Sequence, residues 1–266
     1  MALDELIPVM VRYENNVLGD FEMKVYADIA SAVTTKEPIV VDAERFTHLK
    51  EDEVRKSIAL EVARIVGDRP ALIQSRKHYM TGLCYDQPDI TMVTFDAHND
   101  SERENDFGYT YFNGSFLDFR KGRSIILGTS TDSNSTKASH YDVKRSARKA
   151  DSITGDVYLS LDIDAYRTDV TRAYKVDNIL TLRDGIKRIF GLSSNFTEKD
   201  VLDMSRSIAR NANVVGLDIS EYVPEMEIPS YVETEKDLAD LNPDALPTVR
   251  VLKDYLRNVC AEMYRK

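Results

Sequence analysis

The sequence predicts an α/β protein, built as a single three-layer α-β-α sandwich with a mainly parallel sheet. Short apolar runs rich in β-branched residues alternate with stretches whose apolar residues recur at helical spacing. This alternation is expected when helices cover both faces of a parallel sheet. The 266 residues are 42% hydrophobic, enough for one substantial core. A (β/α)8 barrel gives a similar alternation and is the alternative fold. The sequence contains no repeat or linker that would mark a boundary, so residues 1–266 are expected to form one domain.

The first half of the chain predicts two helices and five strands. Residues 1–45 are an atypical opening segment, with strand-like apolar runs at 6–11 and 38–41 and a short helix at 25–33. Residues 51–66 carry an apolar stripe at helical spacing, and Gly67 can end that helix. Buried strands are expected at 71–74, 90–95 and 123–128, because each is a short and mostly apolar run.

The second half continues the alternation. A helix is expected within the polar stretch 131–150, and residues 157–161 form the next strand. Two helices follow at 182–190 and 198–212, the second with Thr197 as its N-cap. Residues 213–218 are the last strand. A polar, Pro-containing segment at 222–247 then leads to a closing amphipathic helix at 249–263.

Composition excludes several classes of protein. The formal net charge of −10 argues against a general nucleic-acid or anionic-membrane surface. No run approaches the length of a transmembrane helix, and the start of the chain has no apolar signal-peptide core. Cys84 and Cys260 are far apart and in no metal-ligand spacing, so reduced, buried thiols in a cytoplasmic protein are expected.

Two predicted strands end in alternating polar residues. Asp96, His98 and Asp100 follow the strand at 90–95, and Asp162 and Asp164 follow the strand at 157–161. Side chains two apart in an extended backbone point the same way. The carboxyl ends of parallel strands meet at one edge of a sheet, where crowded carboxylates are costly without a cation. The sequence therefore predicts a divalent metal site, the alternative being solvated Asp residues that cap turns.

These motifs resemble those of the ureohydrolases, the family of arginase, agmatinase, guanidinobutyrase, proclavaminate amidinohydrolase and formimidoylglutamase. The family pattern is Gly-Gly-Asp-His-Ser after one strand, Asp-Ala-His-x-Asp after the next, Ser-x-Asp-x-Asp after a third, and a Glu after a strand ending in Asp. The chain has Ser-Arg-Lys-His-Tyr at 75–79, Asp-Ala-His-Asn-Asp at 96–100, Ser-Leu-Asp-Ile-Asp at 160–164 and Gly-Leu-Asp-Ile-Ser-Glu at 216–221. The resemblance extends from about residue 60 to the C-terminus and implies an arginase-like fold.

The resemblance implies a centre of two Mn²⁺ ions at the strand ends. One ion would be held by His78, Asp96, Asp100 and Asp162, and the other by Asp96, His98, Asp162 and Asp164, with Asp96 and Asp162 bridging. Carboxylate and imidazole ligands suit Mn²⁺ and also accept Zn²⁺, Fe²⁺ or Co²⁺. Two such ions share a water and lower its pKa, which gives a bridging hydroxide that can attack a planar carbon near neutral pH.

The same resemblance implies an activity and a set of partners. The expected reaction is hydrolysis of a linear C–N bond in a small cationic guanidino or amidino substrate, by a homo-oligomer (trimer or hexamer). Asp100 would orient the hydroxide and pass on its proton. Glu221 would pair with the substrate guanidinium, a charge-assisted contact of matching planar geometry.

Three departures from the family pattern concern the activity. Lys77 stands where the family has Asp before the metal-binding His, and residues 165–169 replace an Asp-Pro-rich loop. Asn113 stands where a His relays a proton to the leaving nitrogen, and Asn cannot titrate, so slow turnover is expected. Tyr111 and His140 are the nearest groups in sequence that could replace it. The alternatives are a metal-dependent hydrolase of another amide or amidine, and a non-catalytic metal-binding family member.

Overall fold

The structure is a computed structural model that describes residues 6–46, 48–49, 51–98, 111, 116–129, 138–166 and 196–265. Within these ranges the chain forms one sheet of eight strands. The strands are β1 (Ile7–Arg12), β2 (Ile39–Asp42), β3 (Ala71–Ser75), β4 (Ile90–Phe95), β5 (Ser124–Leu127), β6 (Ala138–Tyr141), β7 (Asp156–Asp162) and β8 (Asn213–Ser220).

The order across the sheet is β2-β1-β3-β8-β7-β4-β5-β6, and every neighbouring pair is parallel. The chain therefore crosses over two strand positions between β3 and β4, which are separated by β8 and β7. Among the described strands β2 and β6 are open edges, so the sheet does not close and the barrel alternative is wrong.

Six helices are described, and they cover both faces of the sheet. They are α1 (Val17–Ala30), α2 (Glu51–Val66), α3 (Val143–Ala150), α4 (Glu198–Asn211), α5 (Glu235–Asp240) and α6 (Pro247–Met263). Two separate buried clusters fill the space between helices and sheet. The α6-side core includes Val25, Val157, Leu159, Ile208 and Leu256. The α2-side core includes Ile58, Val62, Ile73, Met92 and Tyr158. The predicted three-layer α-β-α sandwich is therefore confirmed.

The N-terminal helix begins earlier than predicted. α1 starts at Val17 rather than at residue 25, and the Asn16 side chain caps it by accepting a hydrogen bond from the Gly19 amide at 3.0 Å. Val17 and Leu18 are exposed, so the first turn adds nothing to the apolar stripe from which the helix was predicted. Strands β1 and β2 lie where the sequence predicts them.

Two further elements were not predicted. β6 precedes α3 within the stretch where only a helix was expected, because an edge strand with one neighbour needs no continuous apolar run. The short helix α5 is held by a capping box between Thr234 and Asp237. Thr197 caps α4 as predicted, whereas the helix predicted at 182–190 lies outside the described residues. None of the described helices combines the length and apolarity that a membrane span needs.

Candidate metal centre

The four central strands β3, β8, β7 and β4 bring polar side chains to one edge of the sheet. On β7, Tyr158 packs into the α2-side core, and strand alternation carries Ser160 and Asp162 to the same face. On β4, Met92 and Asp96 share that face in the same way. The carboxyl ends of these strands lie where the chain crosses from β3 to β4, which is the usual ligand site in an open α/β sheet.

Six of the side chains that the sequence singled out converge at this edge. They form three overlapping groups, within each of which the ligand atoms lie within 4.8 Å of one another. The groups are His78 with Asp96 and Asp162; Asp96 with His98 and Asp164; and Asp162 with Asp164 and Glu221. Because each group shares a carboxylate with another, the arrangement has the form of a joined centre rather than of isolated sites.

The group around His78 is buried and held by a chain of hydrogen bonds. His78 Nδ1 lies 3.4 Å from Asp96 Oδ2 and 3.2 Å from Asp162 Oδ2. On the other side of the ring, His78 Nε2 lies 2.8 Å from Ser160 Oγ, which donates to Asp218 Oδ1 at 3.0 Å. Because the Ser160 hydrogen goes to Asp218, the network assigns the imidazole proton to Nε2. Nδ1 therefore points at the two carboxylates, where it can hold either a proton or a metal ion, and the hydrogen bonds on the other side of the ring fix its orientation.

The group around His98 is more open to solvent. His98 Nδ1 contacts Asp164 Oδ2 and lies 3.6 Å from Asp96 Oδ1, and the His98 side chain is 43% exposed. Backbone amides hold the carboxylates: the His98 amide donates to Asp96 Oδ1 at 2.6 Å, and the Ala97 amide to Asp164 Oδ1 at 3.1 Å. The Asp164 amide donates to Asp162 Oδ1 at 3.0 Å. The ends of β4 and β7 are thus tied together, with access from the His98 side.

Glu221 directly follows β8 and has an unusual backbone. Its φ of 62° lies in the left-handed region, which is uncommon for a residue other than Gly and tends to occur at functional sites. Its amide donates to Ser75 O at 2.9 Å, which ties it to the end of β3. Burial, followed by the negative charges of Asp162 and Asp164, raises the pKa of the Glu221 carboxyl. The carboxylate therefore lies in a strongly negative environment.

Crowding of the carboxylates perturbs their protonation. Burial and then the charges of Asp164 and Asp96 raise the pKa of Asp162 well above its ordinary value. For Asp96 burial acts in the same direction, but the close contacts and positive charges of protonated His78 and His98 outweigh it, and the pKa of Asp96 is lowered. The charge of Asp164 raises the pKa of His98. Neighbouring carboxylates of this kind are unfavourable together unless protons or cations neutralise them.

The donor set fits divalent cations. Asp96 Oδ2 is buried and accepts no well-directed hydrogen bond from the described residues. Carboxylate oxygens and imidazole nitrogens are the only ligand types in the three groups, and such a mixed set accepts divalent ions such as Mn²⁺, Fe²⁺, Co²⁺ or Zn²⁺. Cys84 and Cys260 are free, buried thiols in other parts of the fold.

The remaining predicted site residues are distributed differently. Asp100, Asn113 and residues 167–169 lie outside the described residues. The backbone of Lys77 is fixed by Ser75 Oγ, which accepts from the Lys77 amide at 3.1 Å and donates to the Lys77 carbonyl at 3.0 Å. The Tyr111 hydroxyl donates to a backbone carbonyl in the α2-side core at 2.7 Å. His140 lies on β6, and burial lowers its pKa.

Sequence reasoning missed the roles of two residues at this centre, Ser160 and Asp218. Both belong to the motifs, and both lie on the side of their strands that faces the candidate metal centre, in direct register with each other. Alternation along the strand could have identified the face. It could not have shown that β7 and β8 are neighbours. Their adjacency is what allows the hydrogen bonds that connect His78 to Asp218 through Ser160.

No protein-family model and no curated protein matches the chain by sequence. Solved structures do resemble it. An arginase from Medicago truncatula has a TM-score of 0.65 at 14% identity, with 98% of this chain and 88% of that chain covered. Formimidoylglutamase from Bacillus subtilis gives 0.63 at 13%, covering 99% and 88%. Agmatine ureohydrolase of Thermoplasma volcanium gives 0.62 at 14%, covering 98% and 92%. At such identities the likeness concerns the fold, and the chain has the arginase-like α/β fold of the ureohydrolases.

Proposed function

We propose that the chain is a binuclear manganese hydrolase that cleaves a linear C–N bond in a guanidino or amidino compound. The observation that carries this proposal is the set of overlapping ligand groups that share Asp96, Asp162 and Asp164. The proteins of the same fold include an arginase, an agmatine ureohydrolase and a formimidoylglutamase. Fold alone does not assign an activity, so the proposal depends on the side chains.

In this proposal the two His-containing groups hold the ions. His78, Asp96 and Asp162 would hold one ion, and Asp96, His98 and Asp164 the other; Asp100, outside the described residues, is proposed as a further ligand of the first. Two divalent ions bound there would supply Lewis-acid charge and would lower the pKa of a water to near neutral. Four carboxylates nearly cancel the charge of two such ions, which makes burial of the filled centre tolerable.

The protein's own residues would bind the substrate and handle protons. Glu221 is proposed to pair with the planar cation of the substrate, because its carboxylate lies beside Asp162 and Asp164 at the same edge of the sheet. Ser160 and Asp218 would keep His78 in the tautomer that presents Nδ1. Asp100 is proposed to accept the proton of the nucleophile. With Asn113 in place of a titrating relay, protonation of the leaving nitrogen would be slow.

The test combines metal analysis with a substrate screen. Protein loaded with Mn²⁺ should contain two ions per chain and hydrolyse at least one of agmatine, arginine, guanidinobutyrate and formiminoglutamate. Asp96→Asn should abolish both metal and turnover. Asp156→Asn is the matched control, since Asp156 lies at the opposite end of β7, where it accepts a hydrogen bond from Asn213. Two bound ions with turnover only on other amides would change the proposed substrate class. Bound metal without any turnover would refute the proposed enzymatic activity.

A further inference from the structure

Arg76 is a buried cation that connects three parts of the chain close to the metal centre. Its side chain is 5% exposed. Nε donates to Glu22 Oε1 at 3.1 Å and Nη2 to Glu225 Oε1 at 2.5 Å, while Nη1 lies 3.6 Å from Glu14 Oε1. Glu22 belongs to α1, Glu14 precedes α1, and Glu225 lies in the turn that follows β8. A planar guanidinium can bind several carboxylates at fixed angles, which a Lys ammonium does not reproduce.

Glu225 belongs to the segment that presents Glu221, and three contacts fix this segment. The Glu221 amide donates to Ser75 O at 2.9 Å, directly before Arg76 in the chain. The Tyr26 hydroxyl of α1 lies 2.8 Å from the Tyr222 carbonyl. Arg76 itself binds Glu225. Segment 221–225 is therefore held at its start, next to its start and at its end.

The segment needs such support because Glu221 has a strained backbone. A φ of 62° is costly for a side chain with a Cβ, and it persists only where the surroundings fix it. Four of the seven residues at 221–227 lie in a turn rather than in a strand or long helix, so little regular secondary structure stabilises them. The Arg76–Glu225 contact joins this turn to the loop that carries His78.

We propose that Arg76 is a positioning residue, which holds the Glu221 carboxylate against Asp162 and Asp164 by anchoring Glu225. The consequence for substrate binding rests on the function proposed above, whereas the positioning itself does not. The contact acts on the two sides of the centre together, because Arg76 lies two residues before His78 and Glu225 four residues after Glu221. Loss of this anchor should loosen Glu221 and leave the ligands on β4 and β7 unchanged.

The cluster offers a matched pair of variants. Glu225→Gln removes the carboxylate on the Glu221 segment, and Glu14→Gln removes one that faces the same guanidinium from outside that segment. In both variants Arg76 keeps its contact with buried Glu22, so neither leaves a buried cation unpaired. Glu225 and Glu14 are 21% and 40% exposed, and Gln keeps the shape of Glu. Both variants should fold, which melting temperatures will show.

The first measurement is hydrogen exchange of the Mn²⁺-loaded proteins, followed by mass spectrometry. Peptides covering 221–225 should exchange about three- to tenfold faster in Glu225→Gln, because the Gln oxygen can still accept from Arg76 but the bond loses its charge assistance, about half of its strength. They should exchange at the wild-type rate in Glu14→Gln. Peptides from β4 and β7 should be unchanged. Arg76→Lys is a second variant with the same expected local effect, because a Lys cannot bind Glu22 and Glu225 in the same geometry.

The second measurement is kinetic and uses whichever substrate the screen identifies. KM should rise about tenfold in Glu225→Gln, with little change in kcat and none in metal content, while Glu14→Gln should match the wild type. Equal exchange at 221–225 in the two variants would overturn the proposal, with or without turnover. Faster exchange at 221–225 in Glu225→Gln without a change in KM on a good substrate would support the positioning and refute its consequence for substrate binding. If no substrate is found, the proposed function fails, and the exchange data still decide whether Arg76 positions Glu221.

Discussion

The hydrogen-bond chain behind His78 makes a prediction about metal affinity. Ser160→Ala removes a single buried hydroxyl, and with it the 2.8 Å contact with His78 Nε2 and the 3.0 Å hydrogen bond to Asp218. The imidazole then loses the partner that fixes its tautomer and ring orientation. We expect the affinity for Mn²⁺ at the His78 group to fall by about 10–100-fold, the usual effect of removing such a partner. That fall corresponds to roughly 1.4–2.7 kcal/mol.

A matched control lies on the neighbouring strand. Thr94 pairs in register with Ser160 and is equally buried, and its hydroxyl makes no hydrogen bond to any described residue. Thr94→Val removes that hydroxyl at nearly constant volume, so it should leave the Mn²⁺ affinity unchanged. Calorimetric titration of metal-free protein with Mn²⁺ measures both variants against the wild type. Melting in the presence of a chelator reports the stability of each metal-free variant separately.

Comparing the two variants separates the effect of orienting the His78 ring from a general loss of stability. If Ser160→Ala binds Mn²⁺ as tightly as the wild type, the orientation of His78 does not depend on its hydrogen bonds to Ser160 and Asp218. The assignment of Nδ1 as the ligand atom is then wrong. If Thr94→Val loses as much affinity as Ser160→Ala, the effect comes from packing in the α2-side core and the reasoning also fails.

Four further predictions concern individual groups. Asp96→Asn should lose most bound metal and melt at a lower temperature in Mn²⁺, because bound metal stabilises the folded state; wild-type metal content by elemental analysis would contradict a bridging role. Glu221→Gln should lower kcat/KM by an amount that corresponds to roughly 1.5–3 kcal/mol of lost transition-state stabilisation, at unchanged metal content. Unchanged kinetics would show that Glu221 does not bind the substrate. Asn113→His should raise kcat, by up to about 10²–10⁴-fold if a proton relay is restored, and a flat kcat would place the relay elsewhere. Burial, opposed by the charge of Arg76, raises the pKa of Glu22 from 4.5 to about 7, so between those values the folded protein binds a proton that the unfolded chain has released. The free energy of unfolding should therefore fall by roughly 3 kcal/mol as the pH rises from 4.5 to 7, relative to Glu22→Gln; parallel pH profiles would refute this.

Features that depend on local geometry could be predicted from the sequence. Strand alternation places Asp96 and Asp162 on the same face as the apolar residues before them, because side chains two apart point the same way. The buried runs that became β3, β4, β7 and β8 were predictable because a strand covered on both faces needs a continuous apolar stretch. The Thr197 cap of α4 follows from the chemistry of one turn. The exposed first turn of α1 and the edge strand β6 could not be predicted, because neither has an apolar pattern of this kind.

Which of these local features meet in space depends on the tertiary fold. The order β3-β8-β7-β4 brings Asp218 beside Ser160 and so fixes the proton on His78, although the three residues lie far apart in sequence. Arg76 reaches Glu225 across 149 positions of the chain. Contacts of this kind depend on which strands become neighbours and on how α1 packs against the sheet. The pairing of strands and the packing of helices minimise the free energy of the whole core, so they cannot be predicted from any short stretch of sequence.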